Sequence, residues 1–257
     1  MYVKDLSGKK GVVFGVANEH SIAWAISRIL HDAGARLAIA YQNERFGERV
    51  SRLTKSMEDV LLLECDVAQD ESIVTAYEKM KREFGNLDFV VHSIAYANRE
   101  DLKGSFSKIA RDSFLMSMDI SAYSLIPIVR HAAPLMEEGG SVIAMTFQAS
   151  ERVFPGYNVM ATAKAALENE ARQLSEEFGP QNIRINAISA GPLETLASRG
   201  IYGFPDMRKI HAEKAPLKRN ITHEEVAKTA LFLCSDLSSG ITGSIIPVDA
   251  GYHIMAV

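Results

Sequence analysis

The chain is poor in cysteine, tryptophan and proline, with 2 Cys, 1 Trp and 8 Pro in 257 residues. Cys65 and Cys234 show no Cys-x-x-Cys spacing. That excludes a disulfide scaffold or zinc ribbon and fits a reducing, cytoplasmic compartment. The 7 histidines never fall into His-Glu-x-x-His or another paired ligand spacing, so no metal site is expected. No apolar run approaches the roughly 20 residues that cross a bilayer. The opening Met-Tyr-Val-Lys-Asp-Leu-Ser-Gly lacks a signal-peptide pattern, so neither a membrane nor secretion is expected. Basic charge is not in excess: the formal net charge is −4, with no basic run, which argues against a nucleic-acid partner. Linkers, repeats and low-complexity stretches are missing too, so residues 1–257 are expected to form one domain.

What is present is a 47% hydrophobic, 23% charged composition, that of a globular protein with a large core. Residues 10–15 (Lys-Gly-Val-Val-Phe-Gly) read as a buried strand, residues 21–30 as a helix stopping near Gly34, and residues 36–41 as a second strand. This is a βαβ unit with parallel strands. The helix start after Gly15 would offer N–H groups and a positive dipole end to a pyrophosphate. The same turn also occurs without a ligand, and Gly-x-Gly-x-x-Gly is absent, since Val16, Ala17 and Ser21 follow Gly15. The second strand leads into Gln42 rather than an acid that would hold an adenosine ribose. Gln42 can bond a ribose hydroxyl and Arg45 could meet a 2′-phosphate; the uncharged Gln42 favours NAD over NADP. Gln42 could equally be an exposed loop residue.

Residues 44–57 read as a charged outer helix, and residues 60–67 as a third strand ending near Asp66. That carboxylate could accept from an adenine amino group or cap the helix at 73–84. Residues 87–95 read as the fourth strand; small Ser93 and Ala95 would admit a flat nicotinamide, or simply pack tightly. Residues 112–138 read as a long helix, apolar around much of its circumference, kinked at Pro127 and buried between layers or in a subunit contact. Residues 141–146, 183–189 and 245–249 complete the strands, the last at an edge or contact because of Pro247. Residues 193–220 lack a clean period and mix Gly200, Gly203 and Pro205 with Tyr202, Phe204 and Met207. They suit a glycine-hinged lid over an apolar substrate, or a surface insertion. Thr222 and Glu225 read as a capping box. Seven strands alternating with helices predict an α/β fold, a doubly wound, Rossmann-like parallel sheet whose ligands sit beyond the strands' carboxyl ends. Gly15, Asp66, Ser93, Phe147 and Gly191 fall at those ends.

After Pro155 and Gly156 the composition turns helical. Tyr157 and Lys164 lie seven residues apart, close to two helical turns, so both side chains are expected on one face. A nearby ammonium would lower the phenol's pKa. Such a phenol can donate a hydrogen bond or a proton to an oxygen gaining charge. A surface lysine and a half-buried tyrosine on an ordinary amphipathic helix would give the same spacing.

Several motifs carry a family resemblance: Gly15-Val16-Ala17 with Ser21-Ile22-Ala23, Cys65-Asp66-Val67, and His92-Ser93-Ile94. Further on come Tyr157-Asn158-Val159-Met160 with Lys164-Ala165-Ala166-Leu167-Glu168, residues 186–192 with Thr195-Leu196-Ala197, and residues 232–236. Over essentially its full length the chain resembles the short-chain dehydrogenase/reductases, specifically the enoyl-acyl-carrier-protein reductases of bacterial fatty-acid synthesis. Their branch has Tyr-x6-Lys where most relatives have Tyr-x3-Lys.

The resemblance implies hydride transfer from NADH, less so NADPH, to the β-carbon of a trans-2-enoyl thioester. It assigns Tyr157 to the thioester oxygen and Lys164 to the nicotinamide ribose. It also assigns Gly15, Ser21, Ile22, Gln42, Asp66, Val67, Ser93, Ile94, Leu193 and Thr195 to the cofactor. Ala97, Leu102, Met160, Ala197, Phe204 and Met207, with Tyr157, would line the acyl pocket. It further implies acyl carrier protein as partner and a homotetramer. Three positions depart from the pattern. Phe147 stands where many members have a second Tyr. Glu194 stands where Arg or Lys often precedes Thr-Leu-Ala. Tyr202, Pro205 and Asp206 occupy a stretch that usually carries carrier-docking bases, with Arg199, Arg208 and Lys209 displaced around it. Acid-for-base changes there would weaken carrier docking. A reductase of coenzyme A thioesters or another α,β-unsaturated carbonyl is the alternative enzyme; a non-catalytic dinucleotide sensor is the alternative outside catalysis.

Overall fold

The computed structural model describes residues 5–256. Seven strands, β1 (Lys10–Phe14), β2 (Arg36–Tyr41), β3 (Leu61–Glu64), β4 (Phe89–His92), β5 (Gly140–Thr146), β6 (Ile183–Ala190) and β7 (Ile245–Val248), form one sheet in the order β3-β2-β1-β4-β5-β6-β7. Every pairing is parallel. The central strands are apolar without a break because both faces are covered. Side chains alternate between faces, so Val12, Ala38, Val90 and Val142 enter one core while Val13, Ile39, Val91 and Ile143 enter the other. Nine helices are described: α1 (Ile22–Asp32), α2 (Glu44–Leu53), α3 (Asp70–Phe84), α4 (Arg99–Lys103), α5 (Arg111–Met118), α6 (Leu125–Ala132), α7 (Asn158–Phe178), α8 (Phe204–Lys214) and α9 (His223–Cys234). The order in which strands are added reverses between β1 and β4, from leftward to rightward along the sheet. The crevice beyond their ends is the switch point where such sheets hold ligands.

The structure corrects two expectations and adds a helix to a third stretch. Residues 112–138 are not one helix kinked at Pro127. The ladder breaks upstream, in a π turn at Asp119–Tyr123, where the Ser124 N–H reaches back five residues to the Asp119 carbonyl at 3.0 Å. Pro127 then falls in the first turn of α6, where a missing N–H costs least. Residues 193–220 contain a regular helix, α8, entered through Gly203 at φ 71° with a proline in its first turn. Strand β4 ends at His92, so Ser93–Ala95 lie in the loop beyond the sheet.

Pro247 occupies edge strand β7, opposite Ser189, as its missing N–H requires. The capping box at α9 is formed: Thr222 Oγ1 accepts the Glu225 N–H at 3.2 Å and Glu225 Oε2 accepts the Thr222 N–H at 2.8 Å. Among the described residues no helix is long and apolar enough to cross a membrane. Thr222→Ala should lower stability by about 1 kcal/mol, the usual worth of such a cap; urea unfolding would read this, and an unchanged midpoint would mean that the box contributes nothing.

Candidate active site

The crevice starts at Gly15, which holds φ at +97° just past β1. Any Cβ there would overlap the Ser93 carbonyl oxygen at the end of β4, so only glycine lets the two strand ends meet. The Ser21 hydroxyl accepts the N–H groups of Ala17 and Asn18, both at 3.0 Å, and so rounds the loop rather than standing free. Helix α1 begins with no side-chain cap and no acid in its first turn. Its positive end faces the switch point unneutralised, which fits a pyrophosphate.

Lys164, two turns into α7, is only 6% exposed. Its Nζ donates to the carbonyls of Ile94 at 3.0 Å and Met145 at 2.8 Å, joining the ends of β4 and β5. An ammonium has three protons, so one remains for a ligand. Burial pushes its pKa down to about 8, against the opposing pull of Glu168 and Glu170. Glu168 is buried one turn further along α7 and accepts the Thr146 hydroxyl at 2.6 Å.

His92 ends β4 fully buried; burial first, then the Lys164 charge, drives its pKa down to about 3. Its Nε2 lies 2.8 Å from Ser124 Oγ, which donates its own proton to the Ile120 carbonyl at 2.8 Å. The serine oxygen must therefore accept, which places the imidazole proton on Nε2. Ser121 Oγ accepts the Tyr96 N–H at 2.8 Å and donates to the Tyr96 carbonyl at 3.0 Å. The π turn thus pins both ends of the loop that presents Ile94. The sequence reading does not single out these serines, and it names His92 and Glu168 only within family motifs, without a role; the visible signal for the serines is Ser117, Ser121 and Ser124 recurring inside an otherwise apolar stretch.

Tyr157 is the N-cap residue of α7, one position before the helix proper. Its ring stacks on Phe147, with centroids 4.6 Å apart and planes 14° apart, and Phe154 meets it edge-on at 6.3 Å. The expectation of a lowered phenol pKa is overturned. Burial raises it, and Lys164 directs its protons at strand carbonyls. The hydroxyl is held protonated, as a hydrogen-bond donor.

Behind Phe147 lies a cavity of about 390 Å³ lined by Phe154, Gly191, Met207, His211 and Tyr252, among others. Of the expected acyl-pocket residues only Met207 lines it. Leu102 and Phe204 are buried, Met160 and Ala97 half-buried, and Ala197 exposed. Leu193 is packed into the core, and Val67 and Ile94 pack against the other core. Ile94 serves the site through its carbonyl. Thr195 Oγ1 accepts the Ser198 N–H at 3.1 Å and shapes its own loop. Gln42 is exposed beyond β2. Asp66 accepts the Ala68 N–H at 3.1 Å and does not cap α3, whose N-cap is Gln69. Glu194 pairs with Arg208. Among the described residues no group of three His, Cys, Asp or Glu side chains could hold a metal ion.

Gly15→Ala should destabilise the protein by about 2 kcal/mol or more, since it combines a positive φ with the clash at Ser93. A denaturant midpoint equal to wild type would show that the two strand ends need not touch.

A sheet of this order, with its crevice at the β1–β4 reversal, has the architecture of the short-chain dehydrogenase/reductases. Within that class the chain belongs to the Enoyl-(Acyl carrier protein) reductase family, whose model matches residues 15–253. It is 47% identical over 252 residues to the enoyl-[acyl-carrier-protein] reductase [NADH] FabI of Bacillus cereus, covering 97% of this chain and 98% of that protein. It is 45% identical over 251 residues to the enzyme of Staphylococcus aureus that is named for NADPH, covering 97% and 98%. The crystal structure of the Bacillus cereus reductase with NADP+ and indole naphthyridinone superposes with a TM-score of 0.96, over 98% of this chain and 99% of that one.

Proposed function

We infer that the protein is an enoyl-acyl-carrier-protein reductase of fatty-acid biosynthesis that saturates the trans-2 double bond of enoyl thioesters. The observation that carries this reading is the buried Lys164 ammonium, which ties the ends of β4 and β5 together and keeps one proton spare. A reduced nicotinamide dinucleotide, NADH in preference to NADPH, supplies the hydride for the β-carbon. The uncapped start of α1, the glycine at position 15 and the spare proton of Lys164 fit its pyrophosphate, its close approach and its ribose in turn. The exposed, uncharged Gln42 beyond β2 supports the NADH preference, with Arg45 nearby as the group that a 2′-phosphate would use.

Tyr157 hydrogen-bonds the thioester oxygen as negative charge builds there. A phenol kept protonated by burial suits that role better than a phenolate. Phe147 cannot donate, so it serves Tyr157 as a stacking plate that fixes the ring plane. Residues 193–220 act as the lid, and Leu102, Phe204 and Met207 wall the acyl chain. A homotetramer and a cytoplasmic location belong to the same reading. Exposed Leu115, Met116 and Tyr123 on α5 and its π turn support the first, and buried free thiols at Cys65 and Cys234 support the second. Glu194, paired with Arg208, favours testing coenzyme A thioesters beside carrier-bound ones.

The direct test is oxidation of NADH and NADPH with crotonyl thioesters on carrier protein and on coenzyme A. NADH oxidation with the carrier-bound substrate supports the reading, and no oxidation with any pairing removes it. Tyr157→Phe should lower kcat by about 10²–10³, the usual cost of losing one oxyanion donor, with NADH affinity unchanged; wild-type turnover would take the phenol out of the mechanism. Lys164 is charged below its lowered pKa and neutral above it, so kcat/KM should fall as pH rises through about 8. In Lys164→Arg, whose guanidinium does not titrate there, that alkaline limb should disappear. A limb of the same position in the variant would belong to another group.

A further inference from the structure

Tyr157 stands between two residues with left-handed backbone: Gly156 at φ +87° and Asn158 at φ +35°. Each touches a different wall of the crevice. A Cβ on Gly156 would come 2.9 Å from the Tyr202 carbonyl oxygen, so the lid's backbone lies directly against this residue. Asn158 reaches the other way. Its Nδ2 donates to the carbonyls of Gly104 at 2.8 Å and Asp101 at 2.9 Å, with the Leu102 carbonyl at 3.4 Å. These carbonyls lie at the C-terminal end of α4, where a helix leaves its acceptors without internal partners. The same turn carries Leu102, 8% exposed.

Asparagine meets two demands that few residues meet together. It tolerates a left-handed backbone better than other residues with a Cβ, and its amide supplies two protons to two carbonyls. Aspartate would fit the backbone but turn acceptors towards acceptors. Glycine would fit the backbone and make no bonds.

We propose that Asn158 is a positioning residue: it clamps the Leu102 turn to the start of α7, so that the wall of the acyl pocket and the Tyr157 phenol keep one fixed spacing. Its kinetic consequence rests on the reductase reading above; the clamp itself does not. On that reading, which puts Leu102 in the wall of the acyl pocket, a long acyl chain would press on the Leu102 turn, whereas a four-carbon chain would not reach far along it. The loss on removing the clamp therefore depends on chain length.

The test uses Asn158→Gly and Asn158→Asp in the full-length protein. With a dodecenoyl thioester, Asn158→Gly should lower kcat/KM about tenfold, the order expected for losing a half-buried anchor with two hydrogen bonds, chiefly by raising KM. With crotonyl thioester the change should stay within about twofold, and NADH affinity should not move. Asn158→Asp should lose more with the long chain. Amide hydrogen exchange at residues 101–105 should quicken about tenfold in Asn158→Gly. Equal losses with short and long chains, or a loss in kcat alone, would overturn the positioning role. Unchanged exchange would overturn the clamp. A wild-type protein inactive with every enoyl thioester would sink the reductase reading and the kinetic half of this proposal, while the exchange rates would still decide the clamp.

Discussion

The site depends on one buried ammonium held by two backbone carbonyls. The carbonyl of Ile94, in the loop after β4, and that of Met145, near the end of β5, both point at the crevice. Lys164 crosses from α7 to satisfy both. Burying a lone cation is costly, and an ordinary surface lysine would stay in water. Here the cost is offset by the two carbonyls and by the negative field of Glu168 and Glu170. The result is a helix, two strand ends and the loop after β4 fixed as one unit. The π turn at Asp119–Tyr123 completes it through Ser121 and Ser124.

Tyr157 is arranged by different means. Among the described residues it has no charged partner, and it is set by packing: Phe147 stacked on one side, Phe154 at its edge, and left-handed residues before and after it. The Tyr/Lys pair divides its labour accordingly. The lysine organises the strand ends and keeps a proton for a ligand. The phenol stays neutral, with its proton in place. Phe147 has no proton to donate and contributes the stacked ring that aligns the phenol.

Much of this was legible beforehand, for identifiable reasons. The central strands, buried on both faces, read as unbroken apolar runs; the edge strands β3 and β7 are only partly buried but are also apolar runs, and Pro247 marked one edge. Thr222 and Glu225 announced their cap by spacing alone. Features set by tertiary contact were not legible. The π turn replaces a kink at Pro127 because serine bonds to His92 and Tyr96 lie far away in sequence. Helix α4 is five residues long, too short for a periodic pattern, and its end is satisfied by Asn158, more than fifty residues later. The sign of the Tyr157 shift was misjudged because spacing does not report that Lys164 is buried and Tyr157 half-buried, or that the ammonium's protons point elsewhere. Of the residues expected to line an acyl pocket, Met207 lines the cavity behind Phe147, while Ala197 stays exposed.

The most direct test of the buried-ammonium account is a titration of the Lys164 side chain by carbon-13 NMR, with the resonance assigned through Lys164→Arg. The account predicts a midpoint at about 8, well below that of the surface lysines. A midpoint near the ordinary lysine value of about 10.4 would mean that Lys164 is solvated and does not hold the two strand ends together.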